Sequence, residues 1–529
     1  MASIVHNKVG KYTYLYESES YRDSNGKPQT RKTRIGKIDH KTGETVYNAE
    51  YLERVRGTDK EPDFSTIKQY SAKDIRGSTI LDYGAYYFFE SIATEIGLID
   101  VLKKSVPTCW EKIITLAFYM ISTGEPALYC EDWLKRSESL PCGNMSSQKI
   151  SELLSAISNE ERLLFYEKWC ELRSEIEYMA LDTTSISSYS EFIGDVEWGY
   201  NRDKEKLPQV NVCMMLGETS QLPVFQMIYS GSLNDVSTLI TTLEHATGVK
   251  IKNISITMDK GFSKKDIIDK LLDSESEIRF LLAIPMTLCF TKDRIRSECD
   301  TIDTVENTIL IGDDIIRGVT RNCSWYNNEH GVYAHSFFNP EETYGKRNEL
   351  YGKVSKLRAE ATLNPKNPDY AKDFAKYLSI RKNKNQPNGY SIKIRNDVIA
   401  SELEHKGWLI LISNHVDSAE KAIEIYRKKD LVEKGFMRMK NCLDLGRLRV
   451  HSDERMQNKL FVGFIALILM AHIDKVMAEQ KLYERMTMTK MIKTLERLRV
   501  QYINEGRILF PLTAEHKSIL DSFKVPYPA

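Results

Sequence analysis

The sequence has 529 residues, of which 42% are hydrophobic and 28% charged. A chain of this length and apolar content forms several domains with buried cores, and its 10% aromatic content excludes a low-complexity disordered protein. Lys and Arg together number 74, as do Asp and Glu, so any surface for nucleic acid must come from local segregation of charge.

The cysteine and hydropathy patterns argue against further classes of protein. The nine cysteines form no CxxC pair, which argues against a zinc ribbon and against a secreted disulfide framework. The start of the chain has no apolar signal core. The longest strongly apolar run, 460–471, is shorter than the about 20 residues of a membrane helix. We expect a cytoplasmic protein without a membrane partner, in which 460–471 is a buried helix.

Residues 1–69 are predicted to form an N-terminal β-hairpin region. The sequence alternates over 9–38, and Asn25-Gly26 is a strong signal for the hairpin turn. Three tyrosines share one face of the first strand, namely Tyr12, Tyr14 and Tyr16. The returning segment 27–41 has six Lys or Arg against one acid. This is typical of a solvated edge strand and equally of contacts with the DNA backbone, for which the candidates are Arg31, Lys32 and Arg34.

Residues 70–175 are predicted to be helical. Apolar residues recur at spacings of three and four over 85–96, 113–122 and 147–169. The start of the last segment, Ser147-Gln148-Lys149-Ile150, suits a helical DNA-binding unit. A packing scaffold is the commoner meaning of such a pattern. We therefore expect a helical region that serves DNA binding or scaffolding.

The following residues are predicted to form an α/β domain with a mixed sheet flanked by helices. Five strand-like segments appear at 178–186, 209–217, 222–230, 254–259 and 279–285, with helical segments near 235–247 and 263–273. The stretch 287–404 breaks this alternation, and its part 346–395 has thirteen Lys or Arg against four acids. We predict an insertion domain there. The alternation resumes with a strand at 408–413 and a long helix over 418–442.

Three carboxylates stand out in this domain. Asp182 and Asp259 are predicted to end apolar core strands, at the edge where α/β sheets place their sites. The third, Glu433, belongs to a helical stripe at i, i+3, i+7 and i+14, formed by Tyr426, Lys429, Glu433 and Lys440. Ion pairing along the helix explains this stripe poorly, because Lys precedes Glu at 429 and 433, which is the weaker orientation.

These residue types predict a metal-dependent phosphoryl-transfer enzyme that acts on nucleic acid. Carboxylate oxygens from two Asp and one Glu suit Mg²⁺ or Mn²⁺. Two such ions can activate a water or a 3′-hydroxyl and stabilise the leaving oxygen in an in-line displacement. The Tyr and Lys residues of the stripe would hold the phosphate backbone.

The stripe Tyr426-(two)-Lys429-(three)-Glu433-(six)-Lys440 resembles the Y-(2)-R-(3)-E-(6)-K signature of DDE transposases from bacterial and archaeal insertion sequences. Other segments also resemble this family, namely 181–184, 199–203, 208–211, 231–235, 259–262 and 451–455. Two residues depart from the family pattern. Lys429 and Lys260 stand where relatives carry Arg, and a Lys keeps the charge but loses the bidentate phosphate geometry.

The resemblance implies an RNase H-like core, 176–286 plus 405–475, interrupted by the insertion domain 287–404 and followed by a C-terminal helical tail, 476–529. It implies that Asp182, Asp259 and Glu433 are the catalytic ligands of two Mg²⁺ or Mn²⁺ ions. It also implies that Tyr426, Lys429 and Lys440 contact DNA near the transposon end.

The activity implied by the resemblance is cut-and-paste DNA transposition. Such an enzyme binds terminal inverted repeats in double-stranded DNA, cleaves the strands and transfers them to target DNA. It acts as a homodimer in a synaptic complex at the nucleoid of a bacterium or archaeon. Two alternatives stay open: an RNase H-like nuclease without strand transfer, and a domesticated DNA-binding protein without catalysis.

Overall fold

The computed structural model describes residues 3–23, 26–39, 45–56, 78–173, 178–233, 239, 242, 255–273, 278–312, 314–326, 331–386, 389–503 and 506–528. Asn25 of the predicted turn, Lys41 of the basic segment, Asp235 and most of the predicted helical segment 235–247 lie outside these residues. The chain divides into two compact units, 1–78 with 503–506, and 79–502 with 507–529.

The described residues of the N-terminal unit form an antiparallel sheet and a helix. Its strands are β1 (Ser3–Val9), β2 (Tyr12–Arg22), β3 (Pro28–Asp39) and β4 (Thr45–Tyr47), in that spatial order. The helix Ala49–Val55 follows. The predicted hairpin is confirmed, because β2 and β3 pair antiparallel and Gly26 in the connection has a φ of 76°. The small core of this unit is formed by Leu15, Ile35, Tyr51 and Val55.

The ladder between β2 and β3 contains a β-bulge. Tyr16 pairs with Arg34 and Leu15 pairs with Gly36, so Ile35 is an additional residue on β3. Ile35 is buried, as expected when both residues of the bulge point towards the core. The bulge is not visible in the sequence because it depends on how two strands align.

In the second unit the described residues form a nine-stranded mixed sheet, which confirms the predicted α/β class. The strands are β6 (Tyr178–Ser187), β7 (Gln209–Gly217), β8 (Pro223–Ser230), β9 (Ser255–Met258), β10 (Arg279–Ala283), β11 (Thr308–Ile311), β12 (Asp314–Ser324), β13 (Gly331–Phe338) and β16 (Trp408–Ser413). Their spatial order is β11-β12-β13-β16-β10-β9-β6-β7-β8. β9 is parallel to both β6 and β10, and the other neighbours are antiparallel.

The stretch 287–404 differs from the predicted insertion in one respect. Its strands β11, β12 and β13 are continuous with the main sheet through the pairing of β13 with β16. Residues 340–403 have a hydrophobic cluster of their own. They form the helices Pro340–Leu363, Ala371–Tyr377 and Asn396–Leu403 and the hairpin β14 (Leu378–Lys382) and β15 (Tyr390–Ile394). Pairing between strands 70 residues apart is long-range, so local periodicity did not predict it.

One long helix, Asp453–Glu479, joins the predicted helical region to the sheet, and we call it the core helix. It packs on β8 and on helices of the region 84–156, and residues from all of them belong to one hydrophobic cluster. The prediction that 460–471 is a buried helix is confirmed. Among the described residues the core helix is the one unbroken helix long and apolar enough to cross a membrane, yet 78% of its most apolar stretch is buried inside the protein.

The helices that surround the core helix and the sheet are mostly as predicted. The segment 147–169, however, is two helices, because Ser158 and Glu161 form a capping box that starts a new one. The helices are Gly84–Glu95, Leu98–Ser105, Trp110–Thr123, Cys130–Leu134, Ser147–Ala156, Asn159–Leu172, Lys265–Asp273 and Cys289–Glu298. Those between 84 and 172 share one hydrophobic cluster with the core helix.

The predicted helical tail is mixed. It contains the helices Met488–Glu496 and Ala514–Ser522, but also β17 (Arg499–Ile503) and β18 (Gly506–Leu509). These strands form a sheet with β5 (Thr79–Asp82). Because β5 is some 400 residues away in sequence, the partner that makes 499–503 a strand could not be seen locally.

Candidate active site

Asp182 lies inside a strand rather than at its end, which corrects the prediction. β6 pairs with β7 as far as Ser187, whereas its parallel pairing with β9 ends at Ala180 and Thr257. Asp182 and Asp259 each come two residues after that last pair. The two acids therefore follow the last pair of two neighbouring parallel strands by the same number of residues, at the point where β9 ends.

The long helix predicted over 418–442 is two helices, Ala419–Arg427 and Asp430–Cys442, and we call the second one the signature helix. Between them the amides of Lys428 and Lys429 donate to carbonyls three residues back, which is a tight 3₁₀-type turn. The first helix packs on β9, β12 and β13, and the signature helix packs on β6, β7 and the core helix. The turn therefore lets this layer follow two parts of a twisted sheet.

Lys429 lies between two of the predicted metal ligands. Its Nζ is 3.8 Å from Asp259 Oδ1 and 3.5 Å from Glu433 Oε1. Tyr426 donates its hydroxyl to the same Asp259 oxygen at 3.0 Å. Burial, and then the charge of Asp259, raise the pKa of Tyr426, so the phenol stays a hydrogen-bond donor. Two of the four signature residues thus meet at the Asp259 carboxylate, and Glu433 is joined to them through Lys429.

Asp182 has a cation of its own. Its Oδ1 accepts from Arg202 Nη1 at 3.1 Å and from the amide of Thr183 at 2.7 Å. Burial raises the pKa of Asp182, Arg202 opposes that rise, and the negative charge of Glu433 adds to it. The Asp182 side chain is 22% exposed and that of Glu433 is 58% exposed. We call Asp182, Asp259 and Glu433, with the cations that pair beside them, the acid cluster, and it is open to solvent on the side of Glu433.

A buried asparagine shapes the loop that supplies Arg202. Asn201 Oδ1 accepts from the amides of Asp203 and Glu205, at 2.9 and 3.2 Å, and its Nδ2 donates to Ser187 Oγ at 3.0 Å. A side chain that bonds the backbone two residues onward fixes a turn. This turn holds the loop against the end of β6.

The same loop pairs with the fourth signature residue. Lys440 Nζ is 2.6 Å from Asp203 Oδ2, and the Lys440 side chain is 13% exposed. Roles for Arg202 and Asp203 are not predicted by the sequence, in which 199–203 stands out only by its resemblance to the family. Their alternating charges were a visible signal, but the partners come from β6 and the signature helix, which the sequence could not show.

The predicted ligands fit a divalent cation by their chemistry. Asp182, Asp259 and Glu433 offer hard oxygen donors, as Mg²⁺ and Mn²⁺ require, and each has a second carboxylate oxygen that accepts no hydrogen bond from the described residues. Within the described ranges, no three His, Cys, Asp or Glu side chains are close enough together to hold one ion. Lys429 instead neutralises two of the acids.

The two basic segments differ in their surroundings. In the N-terminal unit Arg31, Lys32 and Arg34 are exposed on β3. In 346–395, by contrast, several lysines form ion pairs, namely Lys346 with Glu342, Lys353 with Asp373 and Lys376 with Glu402. The second segment is therefore less available to phosphates than its composition indicates.

Comparison with known proteins gives a family. The transposase DDE domain matches residues 173–469, which is more than half of the chain and contains all three acids. No curated protein matches the chain. A solved structure, the cryo-EM structure of the piggyBac transposase synaptic complex with hairpin DNA, is similar at 10% sequence identity and a TM-score of 0.34, over 90% of this chain and 80% of that one. By its matched domain, the chain belongs to the family of transposases with a DDE domain.

Proposed function

We propose that this chain is the transposase of a bacterial or archaeal insertion sequence, which cuts the element out at its terminal inverted repeats and joins it to target DNA. The observation that carries the proposal is the grouping of charge around Lys429. Its Nζ lies within 3.8 Å of Asp259 and 3.5 Å of Glu433, and the charge of Glu433 acts on Asp182. Two acids from separate segments of the matched domain thus share one cation, and the third acid, Asp182, is within range of the charge of Glu433.

The proposed core is RNase H-like. β6, β7 and β8 form an antiparallel meander, and β9 and β10 continue the sheet in parallel from β6. The signature helix covers β6 and β7. This arrangement supports a core in which the acids lie on the two central strands and on the helix that covers them.

In this proposal Asp182, Asp259 and Glu433 hold two Mg²⁺ or Mn²⁺ ions. When bound, such ions supply an activated hydroxyl nucleophile and stabilise the leaving oxygen of the phosphodiester. Tyr426 holds the Asp259 carboxylate in place through its 3.0 Å hydrogen bond, and Arg202 does the same for Asp182. Lys429 and Lys440 supply the ammonium groups that meet the DNA phosphates.

The proposed partners are double-stranded DNA, both as transposon ends and as target, and a second copy of the chain in the synaptic complex. Arg31, Lys32 and Arg34 are proposed as further DNA contacts from the N-terminal unit. We propose that the protein works at the nucleoid in the cytoplasm.

The test is an excision assay with a plasmid that carries the gene and its native flanking DNA. Asp182→Ala, Asp259→Ala and Glu433→Ala should each lower excision by about 10³-fold or more, because the acids would hold the ions that act on the reacting phosphate. The control is Glu424→Ala, since that glutamate is 66% exposed and pairs with Lys428 away from the cluster. Binding to the element ends should persist in all four variants.

Several outcomes would contradict the proposal. Excision at the wild-type level with Glu433→Ala would remove that residue from the site. Cleavage without joined products in the wild-type protein would favour the nuclease alternative. Binding to the ends without any cleavage would favour the domesticated DNA-binding protein.

A further inference from the structure

The two faces of the N-terminal sheet have different chemistry. Residues that pair directly across a ladder point to the same face. Leu15 and Glu17 point to the side covered by the helix Ala49–Val55, where Leu15 is in the core and Glu17 pairs with Arg54. The opposite side carries the tyrosines and much of the basic charge. We call it the basic sheet face, and it consists of Tyr12, Tyr14, Tyr16, Lys32, Arg34 and Lys37.

The β-bulge determines which cations share this face. Arg34 and Lys37 are three residues apart, so in a regular strand they would point to opposite sides. The additional residue Ile35 brings Lys37 to the same face as Arg34. Arg34 pairs with Tyr16 and Lys37 pairs with Tyr14. The side-chain positions agree with this register. The Arg34 guanidinium is 4.3 Å from the centre of the Tyr14 ring, and Lys37 Nζ is 4.5 Å from the centre of the Tyr12 ring.

Charge is segregated between the two faces. By the same register the basic sheet face has one acid at its margin, Asp39, whereas Glu17 and Glu19 lie on the opposite face. Among the described residues, Lys32, Arg34 and Lys37 form no ion pair with a carboxylate. A solvated edge strand needs no such segregation, but a surface for a polyanion does.

We propose that the basic sheet face enters the major groove of duplex DNA and reads base edges there, with Arg34 as the principal reader. This inference deepens the proposed function and rests on it. The major groove is about 12 Å wide, and the three strands β1, β2 and β3, which pair around Tyr16, have their outer axes about 9.6 Å apart at about 4.8 Å per neighbouring pair. An arginine forms two hydrogen bonds with the O6 and N7 atoms of guanine.

The tyrosines distinguish duplex from single-stranded DNA. Stacking of unpaired bases requires free aromatic faces, but Arg34 and Lys37 lie over the Tyr14 and Tyr12 rings. The two rings therefore support the side chains of Arg34 and Lys37 and are not free to stack on unpaired bases. Lys32, opposite Ser18 one step further along the ladder, extends the same row towards a phosphate.

The experiment uses the full-length Glu433→Gln protein, so that bound DNA is not cut, and selects duplexes from a randomised pool. The parent protein should enrich a motif that contains a G·C pair. Arg34→Ala should lose the preference at that pair and about tenfold or more in affinity for the selected duplex, whereas Arg34→Lys should keep most of the affinity and lose the preference. Circular dichroism of each variant establishes that it is folded.

Lys8 provides the matched control. It is exposed on the neighbouring strand β1 but pairs with Thr13, on the opposite face, so Lys8→Ala removes an equal charge and should change affinity by less than about threefold. Equal losses for Lys8→Ala and Arg34→Ala, a motif unchanged by Arg34→Ala, no motif for the parent protein, or single-stranded competitor as effective as duplex would each overturn the inference. Because none of these readouts depends on cleavage, they separate its failure from failure of the proposed function.

Discussion

The basic sheet face and the acid cluster use the same residue types in opposite ways. Both contain Lys, Arg and Tyr. On the sheet face the cations lie on tyrosine rings and have no carboxylate partner among the described residues. At the cluster each cation meets an acid, Lys429 at Asp259, Arg202 at Asp182 and Lys440 at Asp203.

The difference shows that availability to a phosphate depends on the partners of a cation and not on the number of cations. Arg34 has no carboxylate partner among the described residues, so it loses only bound water when it contacts a phosphate. Lys429 must exchange two carboxylates for a phosphate, so its interaction with DNA is tied to the state of Asp259 and Glu433. Phosphate contact at the cluster is therefore conditional, whereas contact at the sheet face is not.

The largest effect in this comparison is expected at Lys429. Lys429→Glu would place a third negative charge between Asp259 and Glu433, and excision should fall by about 100-fold or more, which corresponds to about 2.7 kcal/mol of barrier. Lys429→Arg should preserve or improve activity, because a guanidinium fits a phosphate in two places. Excision rate and thermal stability are the measurements.

Lys428 provides the control for Lys429. It is adjacent in sequence but pairs with Glu424, at 3.5 Å. Lys428→Glu should change excision by less than about threefold and stability by about 0.5 kcal/mol or less, as for an ordinary surface substitution. Equally small effects at both positions would remove the functional assignment of Lys429 and weaken that of Glu433.

An intermediate effect is expected in the salt dependence of DNA binding. Affinity should fall steeply with salt, because phosphate contacts release counterions. Replacing the unpaired Lys32, Arg34 and Lys37 by Gln together should make the slope of log affinity against log salt shallower by about 1 or more. The same change at the paired lysines, Lys346, Lys353 and Lys376, should alter the slope by less than about 0.5. A larger change of slope for the paired lysines than for the three residues of the basic sheet face would contradict the difference in availability between the two groups.

The smallest effect concerns an ion pair beside the cluster. Hydrogen bonds from Arg447, then from Ser187, lower the pKa of Glu205 to about 2. Because this pKa is below the ordinary value of 4.5, the pair contributes stability that is present above about pH 4.5 and is lost as the pH falls towards 2. Arg447→Met should therefore cost less than about 1 kcal/mol at neutral pH, since both side chains are partly exposed.

Urea unfolding at neutral and acidic pH measures this effect. The variant should be less stable than the wild type at neutral pH, and the difference should shrink as Glu205 is protonated. Lys32→Met on the basic sheet face should show no such pH-dependent difference, because no carboxylate partners it among the described residues. A pH-independent difference for Arg447→Met would mean that packing, and not charge, is what Arg447 contributes.

Much of the fold could be predicted because it is encoded locally. The strands around Asp182 and Asp259, the hairpin of the N-terminal unit and the buried helix at 460–471 follow from alternation, turn residues and apolar runs. The shared helix of Glu433 and Lys440 likewise follows from helical spacing, whereas Tyr426 lies on the helix before it. These features require only neighbours in sequence.

The features that could not be predicted depend on alignment between distant segments. The bulge at Ile35 is defined by the opposite strand, and the turn at Lys428 and Lys429 by two parts of the sheet. The pairing of Arg202 with Asp182 joins a loop to a strand. In each case the sequence does not show which distant residue is the partner. Roles for charged residues could therefore be proposed from the sequence, but their pairings could not.

The core helix also has a consequence for how the protein is made. The helix Trp110–Thr123 packs against it, but the core helix begins at Asp453, about 330 residues later. At about 5–20 residues per second of synthesis, the earlier helix waits roughly 15 to 65 s for its partner. During that time apolar surface of the nascent chain faces solvent or a chaperone, so full-length synthesis is a condition for folding of the helical scaffold. A chain released before the core helix has left the ribosome is thus expected to aggregate.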